Sequence, residues 1–195
     1  MKNNQMQSSK LLKLIVLSLL GTISMLLMFV NFPVLPAFAY LTIDFSDVPA
    51  LLAALLFSPV AGVIVQVFKN LLHLLVGGGE PVGVTANFLA GTMFVLPVSI
   101  LYHRFKGVKS LIAGLVTSTI VMAIGMGILN YYLILPAYSL FMGMSDMAIP
   151  SVKWTIVTAG ILPFNVIKGI VIALLFIPLF TKLRPWFEQK RATIS

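Results

Sequence analysis

Residues 48–76 read VPALLAALLFSPVAGVIVQVFKNLLHLLV, and whether this stretch forms one helix or two decides the fold. It is apolar at most positions, and Ser58-Pro59 lies near its middle. Proline is tolerated in the first turn of a helix, so Pro59 can open a second helix as well as kink a single one. The flanking sequence chooses between these.

Four other apolar regions, about 11–31, 85–102, 111–135 and 154–180, approach or exceed the length needed to cross a ~30 Å hydrocarbon core. Basic residues border them in three clusters: Lys2, Lys10 and Lys13; Arg104, Lys106 and Lys109; and Lys182, Arg184, Lys190 and Arg191. Short basic segments stay cytoplasmic. All three clusters share that side only if the ambiguous stretch crosses twice, as helices 48–57 and 59–76. The first arm is short: ten residues rise ~15 Å, about half the core, so neighbours must shield it. The expected fold is an all-α integral membrane bundle of six transmembrane helices, one membrane domain over 1–195, with both termini cytoplasmic.

Two distributions agree with this count. Asp44, Asp47, Glu80 and Asp146 fall in expected outside loops. Tyr40, Tyr102, Tyr131, Tyr132, Tyr138, Trp154 and Trp186 fall near span ends, where interfacial aromatics belong. The overall composition also demands lipid: 59% of the 195 residues are hydrophobic and 9% are charged, against about 25% charged in a soluble domain. The net charge of +8 sits at helix ends rather than on one face, which argues against a nucleic-acid partner. The N-terminus imitates a signal peptide, with Ala37-Phe38-Ala39 as a mock cleavage site, but its apolar run is too long and is read as a retained helix.

Ionisable residues within a span face the bundle interior or a cavity by default. Lys168 lies deep in the last helix, and Asn165 shares its face three residues earlier. Together they offer several donors and an acceptor, suited to a neutral ligand rich in carbonyls and hydroxyls. The alternative is a structural lysine paired with Asp44 or Asp47. Asn130 and Asn87 stand at the same outer membrane level, so these groups suggest a pocket that opens outward. Gln66, Lys69, Asn70 and His73 form a polar stripe on the third helix, read as its solvated outer end more than as cavity lining. Residues 40–45 alternate in a strand-like way and can form a lid-like loop between helices 1 and 2, with Ser46 or Asp47 as N-cap of the second helix.

Catalytic machinery is not evident. There is no phosphate-binding loop, no HExxH and no acid cluster for magnesium, while His73 and His103 fall on opposite sides. No catalytic residue, metal ligand or cofactor is expected. Cysteine is absent, which removes disulfides and thiolate sites. Small residues on the first helix, Ser18, Gly21 and Thr22, allow another helix to approach closely.

Four segments carry a family resemblance: LTIDFSDVPA (41–50), NFLAGT (87–92), NYYLILPAY (130–138) and GILPFNVIKG (160–169). They resemble the riboflavin-specific substrate-binding subunit, or S component, of energy-coupling factor (ECF) transporters, over nearly the whole chain. The resemblance implies a six-helix protein that binds riboflavin as transported ligand in an outward pocket beneath the first loop. It implies partners: a transmembrane coupling protein and two ATP-binding-cassette ATPases, with delivery by toppling in the membrane. By motif it implies ligand contacts from Asn130, Asn165 and Lys168, with Leu41 and Thr42 nearby and Gly83 and Asn87 as further candidates. The apolar walls are expected from Leu41, Phe45 and Phe164. The family's Ala-x-x-x-Ala docking pattern is replaced here by Ser18-x-x-x-Thr22. A self-sufficient secondary transporter with Lys168 as ion relay is the alternative, and an intramembrane enzyme a more remote one.

Overall fold

The computed structural model describes residues 2–194, with side chains from 10 to 185. The expectations for the side chains of Lys2, Trp186, Lys190 and Arg191 fall outside the described residues. Helix α1 (Lys2–Met28) leads into a two-stranded antiparallel hairpin, β1 (Asn31–Pro33) and β2 (Thr42–Asp44), which pairs Asn31 with Asp44. Helices α2 (Asp47–Leu56) and α3 (Pro59–Leu75) follow, then α4 (Pro81–Phe105) and α5 (Gly107–Leu129). A π-helical segment (Asn130–Ile134) joins α5 to α6 (Leu135–Met142). After a 3-10 turn, α7 (Pro150–Thr155) runs through a second π segment (Ile156–Ile161) into α8 (Leu162–Ile194).

Four of these helical stretches are long and apolar enough to cross a membrane, and α2 and α3 are the two shorter apolar helices. The stretch 48–76 is indeed broken at Ser58. Its backbone is extended, its hydroxyl accepts from the Ala61 amide at 3.2 Å, and Pro59 occupies the first turn of α3. Helix α1 stops at Met28, short of the expected 31, because Asn31 already pairs in the hairpin, whereas other long helices exceed the expected bounds. Glu80 caps α4 so that it starts at Pro81 rather than near 85. A tight turn at Lys106 (φ 54°) and Gly107 (φ 86°) reduces the expected basic loop between α4 and α5 to almost nothing. The Leu35-Pro36-Ala37 and Leu135-Pro136-Ala137 segments fold differently, one as a 3-10 turn and one as the start of a helix.

The short α2 is the centre of the bundle. Val48, Ala50, Leu51, Ala53, Ala54 and Leu55 are all buried, and α2 touches α1, α3, α4 and α8. Alanines let the neighbours come close, and Gly62 completes the fit: a Cβ there would stand 2.6 Å from both the Ala54 Cβ and the Val95 Cγ1. The outer faces carry exposed Leu19, Leu26, Ile64, Ile120, Ile124 and Leu174, the apolar surface that lipid requires. At one end, the Lys13 ammonium lies 5.6 Å from the centre of the Phe57 ring, His103 Nε2 is 2.8 Å from the Ala54 carbonyl oxygen, and Tyr102 packs edge-on to Phe180. The three basic clusters therefore converge at this end, as far as their side chains are described.

The polar stripe of α3 is not a solvated end, and it does not line the cavity described below. Gln66, Lys69, Asn70 and His73 are buried. Asn70 donates to the Gln66 carbonyl and His73 packs against Phe29, while Gln66 and Lys69 meet Asp47, a fully buried carboxylate in the first turn of α2. Its Oδ1 accepts from Lys69 Nζ at 2.6 Å and from Gln66 Nε2 at 2.8 Å, and its Oδ2 lies 3.1 Å from Lys168 Nζ of α8. Lys69 also donates to the Ser46 hydroxyl at 2.7 Å, and the Ser24 hydroxyl of α1 donates to the Ser46 carbonyl. Neither Ser46 nor Asp47 caps α2 with its side chain, because both are taken by this network. Asp44 instead accepts the Ser46 amide at 2.7 Å and turns the chain from β2 into α2.

Two outcomes follow for stability in detergent. Gly62→Leu should lower the unfolding midpoint, costing about 1–3 kcal/mol or more through overpacking. Asp47→Ala, which strands two lysine charges, should cost about 3–5 kcal/mol. Thermal unfolding of the purified variants measures both.

Candidate functional site

At the end of the bundle opposite the basic clusters lies a cavity of about 480 Å³, within the range of small-molecule sites. It is built from the loop before β2, the start of α4, the end of α5 with its π segment, and the start of α8. Leu41, Thr42, Gly83, Asn87, Asn130, Asn165 and Lys168, all inferred from sequence, line this one cavity.

The two π segments explain the local geometry. Each ends at the isoleucine of an Ile-Leu-Pro sequence: Ile134-Leu135-Pro136 and Ile161-Leu162-Pro163. Proline inside a helix has no N–H to donate, and its ring crowds the carbonyl four residues earlier. A wider π turn relieves that clash, and such turns recur at functional sites. Here one turn begins at Asn130, and the other ends four residues before Asn165. Each asparagine anchors its Nδ2 on the carbonyl one turn back, Asn130 on Met126 and Asn165 on Ile161, both at 2.8 Å. Both side chains are buried within the cavity wall.

Lys168 stands at the junction of the buried carboxylate and the cavity. It is paired with Asp47 at 3.1 Å, and it lines the cavity. An ammonium has three donors. Beyond Asp47, no acceptor within hydrogen-bond distance takes them among the described residues. Asn87 adds a buried Oδ1 with no partner. A buried acceptor left unmade costs about 1–3 kcal/mol, so this atom favours a ligand or water that donates to it. The apolar walls include Leu41, Ala90, Met126, Ile134, Ile161 and Phe164. Phe45 is not among the lining residues; its ring instead packs 6.0 Å from Phe32 across the hairpin.

Sequence reasoning missed Glu80 and Tyr138 as a pair. Glu80 Oε1 accepts from the Tyr138 hydroxyl and from the Gly83 amide, each at 2.5 Å, and Oε2 accepts from the Val82 amide at 2.7 Å. Gly83 owes its identity to this arrangement: a Cβ there would stand 2.9 Å from the Tyr138 oxygen and would strike Glu80 Oε1. The helix start at Pro81 was the available signal, since a negative charge is favoured beside a helix N-terminus. Met144 and Met147, from the loop after α6, also reach the cavity, and nothing in their local sequence marks them.

The first-helix residues divide. Ser18 and Thr22 are exposed, with the Thr22 hydroxyl donating to the Ser18 carbonyl at 3.0 Å. Gly21 is buried, and a Cβ there would stand 3.1 Å from Phe68 Cβ. Its small size serves packing against α3, so the expectation that it forms part of a docking surface does not hold. Among the described residues, no group of three or more His, Cys, Asp or Glu side chains could hold a metal.

Comparison with known proteins shows the family. The profile of the family described as "ECF transporter, substrate-specific component" matches residues 12–180. The chain is 48% identical to the riboflavin transporter FmnP of Bacillus subtilis (strain 168), over 94% of this chain and 97% of that protein. It is 48% identical to the riboflavin transporter RibU of Staphylococcus aureus (strain TCH60), covering 94% and 95%, and 31% identical to RibU of Streptococcus thermophilus (strain ATCC BAA-250 / LMG 18311), covering 88% and 82%. A solved structure described as the S component of a bacterial ECF transporter superposes with a TM-score of 0.77 at 47% identity, covering 91% of this chain and 98% of that one. The chain belongs to the substrate-specific components of ECF transporters, which are multi-pass transport proteins of the bacterial cell membrane rather than enzymes.

Proposed function

We propose that this chain is one membrane domain that captures riboflavin from outside the cell, as transported ligand and not as cofactor. The observation that carries this reading is the cavity's polar set. Asn87 offers an unpartnered acceptor, Lys168 offers donors, and Asn130 and Asn165 flank them, all inside apolar walls. The uracil-like edge of a flavin alternates acceptors with one donor, which such a set can match. Its dimethylbenzene end suits walls of Leu41 and Phe164. A buried site that bonds specific groups rejects analogues lacking them, because its own polar atoms are then stranded. The names of similar transporters favour the same ligand.

The basic end, with both termini, faces the cytoplasm, and the cavity opens outward beneath a lid formed by residues 40–42. Having no phosphate-binding loop of its own, the chain delivers its vitamin by toppling against an energising module, a transmembrane coupling protein with two ATP-binding-cassette ATPases. Exposed Ser18 and Thr22 form part of that docking face.

Equilibrium titration followed by flavin fluorescence tests the ligand. Riboflavin should bind with quenching at or below micromolar concentration, and absence of binding there refutes the reading. Asn165→Ala and Lys168→Ala should each weaken binding by about 1–3 kcal/mol; unchanged affinity in both would move the pocket elsewhere. Single cysteines near Lys109 and Asp146, labelled from outside intact cells, should react only at the second position. Gradient-driven uptake in liposomes containing this chain alone would instead make it a self-sufficient carrier.

A further inference from the structure

Among the residues lining the cavity, Lys168 and Glu80 are the charged ones. Lys168 is answered from behind: Asp47 is in contact with it, Asp44 acts on its charge, and Lys69 shares Asp47. These four buried groups, two lysines and two aspartates, sum to zero. Glu80 has no such answer. No cation pairs with it among the described residues, and its partners are neutral donors, the Val82 and Gly83 amides and the Tyr138 hydroxyl. Exposed Asp146, between the lining residues Met144 and Met147, adds a second negative charge near the mouth. The nearest sequence cation to that rim, Lys153, lies 4.5 Å over the ring of Tyr131, which lines a separate groove rather than the cavity.

Glu80 also fills a place where a phosphate would otherwise find donors. The N-terminus of α4 meets the cavity through Gly83, and a free helix N-terminus binds anions through its first amides and dipole. Here the first available amides are already taken by the chain's own carboxylate. Tyr138 of α6 holds that carboxylate in place, and the missing Cβ of Gly83 makes room for the pair.

We propose that Glu80 is a specificity-determining residue that selects uncharged flavins over phosphorylated ones, by occupying the anion site at the start of α4 and charging the rim negative. The inference rests on the reading of this cavity as a riboflavin site. A flavin phosphate carries about −1.5 to −2 charges at pH 7. It cannot be desolvated among the apolar walls, so it must sit toward the opening, beside Glu80.

Riboflavin and flavin mononucleotide titrations of the wild-type chain, from about 0.01 to about 1 M salt, test this, since the screening length falls over that range from about 30 to about 3 Å. Flavin mononucleotide should bind more weakly than riboflavin, and its affinity should rise with salt while that of riboflavin stays level. Equal affinities at low salt, or a mononucleotide affinity that is flat or falls with salt, overturns the proposal. Glu80→Gln should shrink the preference for riboflavin by roughly tenfold, whereas Tyr138→Phe, which keeps the charge, should largely preserve it. An undiminished preference in Glu80→Gln, or an equal loss in Tyr138→Phe, also overturns it. Failure of riboflavin itself to bind is a different result and counts against the ligand, not against Glu80.

Discussion

Asp47 is one carboxylate serving two lysines in a bundle surrounded by lipid, and the rest of the molecule is arranged around that constraint. A charge taken from water into a low-dielectric interior is tolerated only when paired and hydrogen-bonded. Asp47 receives Lys69 and Gln66 from α3 on one oxygen, and its other oxygen forms an ion pair with Lys168 of α8. The network thereby ties the β1–β2 hairpin, through Ser46 and Asp44, to three helices. It explains why α2 can be short. Helix α2 need not span the core, because it is held from every side and exposes little to lipid.

The same constraint gives the site its chemistry. Lys168 is fixed by its contact with Asp47, yet that contact leaves donors to spare on the cavity side. The π turns at the two Ile-Leu-Pro sequences lie beside Asn130 and Asn165, which both line the cavity. Glu80 and Tyr138 then join α4 to α6 at the rim. The inner part of the cavity is charge-balanced and rich in hydrogen-bonding groups, and its outer part is anionic.

Much of this was legible from residues alone. The break at Ser58-Pro59 followed from the placement of basic clusters, and the polar groups of the cavity followed from their cost in lipid. What escaped was pairing between distant elements. The stripe Gln66, Lys69, Asn70 and His73 has the spacing of a wet helix face, and only the position of Asp47 across the α2–α3 hairpin turns it inward. Gly21 reads as a docking surface until Phe68 is found against it. Glu80 and Tyr138 lie 58 residues apart in the chain, and no local pattern links them. The π turns left a local trace in the repeated Ile-Leu-Pro, but a proline alone does not say whether a helix kinks, stops or widens.

The most direct measurement is a structure of the chain crystallised with riboflavin. The account predicts the flavin in this cavity, with polar atoms within hydrogen-bond distance of Asn130, Asn165 and Lys168, and Lys168 still against Asp47. A flavin bound elsewhere, or Lys168 turned away from both ligand and Asp47, would contradict it.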